Sequence, residues 1–237
     1  MTRKKLQCII LAVFLSAVLA GCSSKARRDE LKEPPETKIQ VQNDWTPLMR
    51  ASYDNDLGQV KTLIEGGAAV NVSDKDGWSP LTIAVTKNYP EIVQYLIDNN
   101  AAVQTTDKDG FTSLMLACGF MDNPQIIDSL IIKGANVNAV SRTGWTPLMI
   151  ALTRDNHEFV EILIANHADV NAADTDGWRP LIFAAAYASR VETLELLLQN
   201  GAEVNVQTSS GWTPLSIARQ KGELYFVQAL KEAGAKE

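Results

Sequence analysis

Few side chains in this sequence of 237 residues could support covalent or metal chemistry. Its three cysteines, Cys8, Cys22 and Cys118, lie far apart, and His157 and His167 are its only histidines. A structural zinc site needs about four Cys or His ligands at short spacings, and a disulfide framework needs paired cysteines. The sequence therefore predicts no metal site and no disulfide framework.

The motifs of common catalytic sites are also missing. The sequence contains no GxSxG nucleophile elbow, no Gly-rich phosphate loop and no HExxH zinc motif. Two histidines leave few candidates for a general base near neutral pH. We therefore expect a protein that is not an enzyme and that uses no cofactor.

Aspartates recur in an Asp-x-Asp-Gly pattern at residues 74–77, 107–110 and 174–177. Such carboxylates could bind calcium. A calcium loop, however, also needs further oxygen ligands and a glutamate at its twelfth position, and these are missing here. The sequence therefore predicts tight turns at these three segments.

The most regular chemical feature is a row of aromatic residues, each followed by a motif similar to Thr-Pro-Leu. The row recurs with a nearly constant period of about 33 residues and consists of Trp45, Trp78, Phe111, Trp145, Trp178 and Trp212. Aromatic side chains bury large areas at small entropic cost and dominate protein-binding hot spots. This period predicts one aromatic residue in each structural repeat.

The elements that would position this row follow from the rest of each repeat. Thr or Ser before Pro is typical of a helix N-cap followed by proline in the first turn. Apolar residues at positions i, i+3 and i+4, as in Val160, Leu163 and Ile164, indicate a second helix. Glycine then ends that helix in a left-handed conformation, with Asn100 and His167 in its place in the second and fourth repeats.

These motifs, together with the Gly-Ala-x-Val-Asn signature after the second helix, resemble the ankyrin repeat over about residues 41–237. The resemblance implies an all-α ankyrin-repeat solenoid of about six repeats with short β-hairpin fingers. Arg50, Gln59 and Lys231 occupy positions that are apolar in other repeats, as expected for terminal repeats facing solvent. We expect the extra residues of the third and fifth repeats to lengthen the loop between the two helices.

The first residues have the order of a secretion signal. Arg3, Lys4 and Lys5 precede an apolar run that ends at Leu-Ala-Gly-Cys, residues 19–22, and is too short to span a membrane. This tetrapeptide resembles the lipobox of bacterial lipoproteins. The resemblance implies cleavage before Cys22, acylation of Cys22 with chains such as palmitate, and stable anchoring in the membrane.

The lipoprotein resemblance also predicts the location and the domain order. Ser23, rather than aspartate, follows the cysteine, which favours the outer membrane, facing the periplasm, in a Gram-negative host. The predicted domains are a signal peptide at 1–21, the lipidated cysteine with a flexible tether at 22–43, and the ankyrin-repeat domain at 44–237.

The charge balance limits the choice of partners. Lys and Arg number 22 against 28 Asp and Glu, a formal net charge of −6, which argues against nucleic acid as a partner. Removal of residues 1–21 takes away three basic side chains and leaves a charge of about −9. An acidic module of this kind would associate faster with a basic protein, such as a basic toxin.

We expect a protein-binding module, monomeric when unbound, that captures a partner protein on the concave ankyrin face. Its specific form would be an immunity protein that neutralises a secreted toxin such as a lipase. The alternatives are a scaffold or protector of a resident periplasmic enzyme, and glycan binding through the tryptophan row. A purely structural role for the aromatic rings is also open. The candidate partner-binding residues are Trp78, Phe111, Trp145, Trp178, Trp212, Lys75, Asp76, Lys108, Asp109, Arg142, Thr175 and Asp176.

Overall fold

A computed structural model describes residues 45–236, so the predicted signal peptide, Cys22 and the tether lie outside the described residues. This part of the chain folds into twelve helices arranged as six pairs. The first helices are α1 (Pro47–Tyr53), α3 (Pro80–Thr86), α5 (Ser113–Phe120), α7 (Pro147–Thr153), α9 (Pro180–Tyr187) and α11 (Pro214–Lys221). The second helices are α2 (Leu57–Glu65), α4 (Pro90–Asp98), α6 (Pro124–Ile132), α8 (His157–Ala165), α10 (Val191–Gln199) and α12 (Leu224–Glu232). None of these helices is long and apolar enough to cross a membrane.

The first helices begin where the sequence predicts. The side chains of Thr46, Ser79, Thr112, Thr146 and Thr213 each accept a hydrogen bond from the backbone N–H three residues later. These bonds satisfy donors that have no partner inside the helix. Arg179 takes this position in the fifth repeat and makes no side-chain cap bond. The start of α9 is therefore marked only by its first residue, Pro180.

The second helices bury one apolar stripe against the first helices and end in a left-handed residue. Val160 and Leu163 of α8 are fully buried, as predicted. Asn100 and His167 have φ values of 61° and 66°, in the region that glycine occupies at the same point of other repeats. The predicted replacements of the terminal glycine are therefore confirmed.

One expectation about the helix connections is wrong. The connections of the third and fifth repeats are as long as those of the first, second and fourth repeats, and the extra residue instead lengthens α5 and α9. The reason lies at the helix ends, because Met121 and Ala188 adopt extended backbone. At the corresponding turns Asn55, Asn88 and Asp155 have positive φ.

Asparagines of the Gly-Ala-x-Val-Asn signature join successive repeats. Asn138 donates from Nδ2 to the carbonyl of His167 (2.9 Å), and its Oδ1 accepts from the N–H of Asp169 (2.7 Å). Asn71, Asn171 and Asn205 make the same pair of bonds to the repeat that follows them. The first helices also pack more closely on one another than the second helices do. The stack therefore curves with its first helices on the inner, concave side.

Candidate protein-binding face

Four-residue turns, here called fingers, lead into the first helices α3, α5, α7, α9 and α11 and are held by their own side chains. They lie at residues 74–77, 107–110, 141–144, 174–177 and 208–211. Oδ1 of Asp74 accepts from the N–H groups of Asp76 (2.9 Å) and Trp78 (2.8 Å). Asp107 and Asp174 make equivalent bonds. Burial raises the pKa of Asp107, while its bonds with backbone N–H groups act in the opposite direction. These aspartates form turns, as predicted.

Neighbouring fingers are joined by single backbone hydrogen bonds. The N–H of Lys108 donates to the carbonyl of Asp76 (3.0 Å), and the N–H of Arg142 donates to that of Asp109 (3.1 Å). Thr106 and Thr112 form the single isolated β-bridge within residues 45–236, so the predicted hairpins are tight turns here rather than extended strands. In the turns that begin at Asp74, Asp107 and Asp174, one carboxylate oxygen accepts from two inner N–H groups, so these donors are satisfied without a longer ladder.

The close spacing of the fingers requires glycine. Gly144 has a φ of 84°, and a Cβ atom added to it would lie 2.6 Å from Cα of Asp174 in the next finger. Gly77 has a φ of 83°, and its added Cβ would lie 2.5 Å from the carbonyl oxygen of Thr106. The fingers therefore form a fixed row that positions the side chains at their tips.

The predicted finger residues lie along this row. Lys75, Lys108, Asp109, Arg142 and Thr175 are exposed, whereas Asp76 and Asp176 are partly buried. Lys108 lies 3.7 Å from Asp76 across two neighbouring fingers. The fold brings these side chains together at spacings set by the repeat, and their chemistry changes from one repeat to the next.

The aromatic row divides into two groups. Trp145 and Trp178 are only 6% and 4% exposed to solvent. Both pack on Phe183, and their ring centroids lie 5.1 and 5.2 Å from the centroid of its ring. Trp45 is also buried, and its Nε1 donates to Oδ2 of Asp74 (2.9 Å). Trp78, Phe111 and Trp212 are only partly buried and are the members of the row with ring area available to a partner.

A second row, which sequence analysis missed, follows the ends of the first helices. From the second repeat to the sixth, basic and aromatic residues alternate at this place, so each type recurs in every second repeat. The row consists of Lys87, Phe120, Arg154, Tyr187 and Lys221, and Tyr53 lies one position earlier in the first repeat, beside Asp54 at the equivalent position. This double-repeat period is the sequence signal that could have revealed it.

The basic members of this second row reach back to the preceding repeat. Nζ of Lys87 lies 4.2 Å from the centre of the Tyr53 ring, and Nζ of Lys221 donates to the carbonyl of Ala186 (3.0 Å). Arg154 lies 4.0 Å from Asp122. Burial lowers the pKa of Lys221, although Glu223 and Asp155 act in the opposite direction. These contacts fasten neighbouring repeats together along the concave side.

Charge is distributed unevenly between the two layers of helices. Within the twelve helices of residues 45–236, the first helices contain no Asp or Glu. The helix carboxylates are all in the second helices, at Glu65, Glu91, Asp98, Asp128, Glu158, Glu161, Glu192, Glu195 and Glu232. The acidity predicted from composition is therefore strongest on the side opposite the first helices.

The structure offers little chemistry elsewhere. Cys118 is buried inside α5, and this burial raises the pKa of its thiol, so it carries no reactive thiolate. Within the described residues no three His, Cys, Asp or Glu side chains lie close enough together to hold a metal ion. The arrangement suits recognition by fixed surface side chains.

Comparison with known families identifies the repeats. A family model described as ankyrin repeats in three copies matches residues 23–109, 48–141 and 114–208. The chain belongs to the ankyrin-repeat family. The first match begins upstream of residue 44, the predicted start of the ankyrin-repeat domain. No curated protein matches the sequence.

Solved ankyrin-repeat structures resemble this protein along most of its length. The ankyrin repeat domain of Bcl-3, a member of the IκB family, is 30% identical with a TM-score of 0.69, covering 82% of this chain and 89% of its own. An ankyrin repeat domain from Acinetobacter baumannii is 28% identical with a TM-score of 0.71, covering 80% and 98%. These similarities agree with the solenoid described above.

A third similar structure is a complex between an enzyme and an immunity protein. It contains the Bd0816 predatory endopeptidase from Bdellovibrio bacteriovorus in complex with the immunity protein Bd3460. The matched chain is 26% identical with a TM-score of 0.69, and the match covers 79% of this ankyrin-repeat protein and 98% of that chain. Ankyrin repeats are typical protein-interaction modules.

Proposed function

We propose that this ankyrin-repeat protein is a lipid-anchored module of the bacterial cell envelope that captures a partner protein with its fingers and first helices. The observation that carries the proposal is the rigid finger row, in which exposed Lys75, Lys108 and Arg142 stand beside the partly exposed rings of Trp78 and Phe111. Rigid aromatic anchors with variable polar neighbours are typical of protein-binding hot spots.

In its specific form, the module is an immunity protein that covers the active site of a secreted enzyme. Support comes from the similar structure in which an immunity protein is bound to an endopeptidase. An enzyme that attacks the envelope, such as a peptidoglycan hydrolase or a lipase, is the partner class that an anchored inhibitor would meet. Glycan binding through Trp145 and Trp178 is less favoured, because their rings are buried against Phe183.

Affinity capture from envelope extract tests the binding face. The bait is the full chain in a mild non-ionic detergent, compared with Lys108→Glu/Arg142→Glu on the fingers and Lys133→Glu/Lys231→Glu on the side of the second helices. All four side chains are exposed, and each double variant replaces two positive charges with two negative ones. The two variants therefore have the same change in charge. We expect one stoichiometric protein that is retained by the wild type and the second-helix variant but lost by the finger variant.

The retained protein is then assayed with and without the module. Inhibition of a secreted enzyme supports the immunity form, and retention of an enzyme without inhibition supports the scaffold alternative. Equal retention by both variants would exclude the finger row as the binding face.

Anchoring is tested separately by Cys22→Ser in the full chain. We expect loss of labelled palmitate incorporation and release of the protein from the membrane fraction, because the acyl chains supply the membrane affinity. Continued incorporation of label would refute the lipid anchor while leaving the proposed binding face intact.

A further inference from the structure

A groove of about 410 Å³ crosses the second helices of the first three repeats. It follows the whole length of α4, from Pro90 at the start of that helix to Asp98 at its end, and is bordered by α2 and α6. The second helices are more loosely packed on one another than the first helices. The groove therefore follows from the curvature of the stack and lies on the side of the second helices.

The groove combines an apolar floor with charged rims. The partly buried rings of Pro90 and Tyr95 supply apolar surface, with Ile126 buried beside them, and exposed Glu91 and Asp98 supply carboxylates. Nε2 of Gln94 donates to Oδ1 of Asp98 (2.9 Å). The hydroxyl of Ser129 in turn donates to Oε1 of Gln94 (3.0 Å). This chain of bonds orients the Asp98 carboxylate from α6.

A cation already lies against this surface. Nζ of Lys61, from α2, is 5.6 Å from the centre of the Tyr95 ring. An ammonium group at this distance is attracted by the electron-rich face of the ring. Lys61 is exposed, so another cation could replace it without opening the core.

Two electrostatic features favour an incoming positive charge. Asp98 is the last residue of α4, where the helix dipole disfavours a carboxylate, and no basic residue lies in that last turn. The other helix carboxylates within residues 45–236 also lie on second helices, so the surroundings of the groove attract cations.

We propose that this outer groove binds a basic side chain of a protein partner. The aliphatic stem of a lysine or arginine would lie on Tyr95, and its charged head would meet Asp98. Glu91 lies seven residues, about 10 Å, away along α4 and adds attraction from the other end of the groove. Such side chains place their stems on apolar surface and keep their charges near solvent or an opposite charge. The groove is thus a second interaction surface, separate from the finger row, and it does not depend on the function proposed for the fingers.

A labelled peptide of alternating lysine and alanine is the probe, and fluorescence anisotropy at low salt measures its affinity for the full chain in non-ionic detergent. Glu91→Gln/Asp98→Asn removes both carboxylates of the groove. Glu192→Gln/Glu195→Gln removes the same charge from α10 and is the matched control. We expect the groove variant to weaken binding by about tenfold and the control by much less.

Lys61→Gln gives a second readout that loss of folding cannot imitate. Removal of the resident ammonium should tighten binding of the lysine peptide by about threefold, whereas Lys133→Gln, an equal charge change outside the groove, should leave it almost unchanged. No binding to the wild type, or equal weakening by the groove and control pairs, would overturn the proposal. Tighter binding of a glutamate-alanine peptide would also overturn it.

Discussion

Replacing Gly144 or Gly134 with alanine separates the contact between fingers from simple backbone strain. Both glycines have a left-handed φ, 84° at Gly144 and 90° at Gly134. A Cβ atom at Gly134 would meet nothing within 4 Å, but at Gly144 it would lie 2.6 Å from Cα of Asp174 and 2.9 Å from the N atom of Thr175. The pair is therefore matched in conformation and differs in the approach of the next finger.

The expected effects follow from these distances. Alanine in a left-handed conformation costs about 1–2 kcal/mol, and this is the whole effect expected for Gly134→Ala. At Gly144 the Cβ atom must move away by about 1 Å to reach normal van der Waals contact. That movement would stretch the 3.1 Å bond between Thr175 N–H and Thr143 carbonyl, a loss of about 1 kcal/mol, and disturb the packing beside it. We expect Gly144→Ala to destabilise the protein by about 3 kcal/mol, the sum of these effects.

Urea-induced equilibrium unfolding, followed by far-ultraviolet circular dichroism and tryptophan fluorescence, measures both free energies of unfolding. The two probes should give coincident transitions with unchanged slopes if the repeats unfold together. Equal destabilisation by the two substitutions would refute the close approach of neighbouring fingers. It would also remove the physical basis for treating the finger tips as one rigid surface.

Three other substitutions or reactions test separate parts of the structure. Leu163→Glu places an unpaired charge at a fully buried position of α8 and should lower the free energy of unfolding by several kcal/mol, whereas an unchanged melting temperature would disprove the helix register. Cys118 should react with a thiol reagent only after urea unfolds the protein, because its thiol is buried, and rapid reaction in buffer would contradict its placement. Asp107→Asn should stabilise the protein at pH 7, because burial raises the folded pKa of this carboxyl. The stability of the wild type therefore falls as the pH rises through that pKa, and the substitution removes this loss. Asn can still accept the two turn bonds. The gain should disappear below pH 3.8, the ordinary pKa of aspartate, in urea titrations at both pH values, and a gain independent of pH would argue against this cause.

Most of the fold can be predicted from the sequence, because each repeat contains the residues that start and end its own helices. Thr before Pro gives the start of the first helix, and a left-handed residue such as Asn100 marks the end of the second helix. These features depend on backbone preferences within a few residues, so they can be read without knowing the neighbouring repeat. The placement of the extra residues in α5 and α9 could not be predicted in this way, because a longer helix and a longer loop have the same local composition.

The candidate site depends on contacts between repeats, which local patterns do not contain. Trp145 is buried because Phe183 of the next repeat packs against it, whereas Trp78 keeps part of its ring exposed. The same sequence motif therefore places its aromatic residue in the core in one repeat and at the surface in another. Lys87 contacts Tyr53 of the preceding repeat, and Arg154 and Lys221 also reach back to the repeat before them, by different contacts. The recurrence of these basic residues is seen only when every second repeat is compared.

Net charge is a poor guide to which face of this protein meets a basic partner. The formal charge of −6 favours association with a basic protein, but the first helices contribute no carboxylate to it. Long-range attraction would therefore bring a basic partner toward the second helices and the outer groove, since local charge decides the orientation of an encounter. A partner bound by the fingers must instead be held by the rings of Trp78 and Phe111 and by individual polar contacts. Raising the salt concentration should consequently weaken binding at the outer groove more than binding at the fingers.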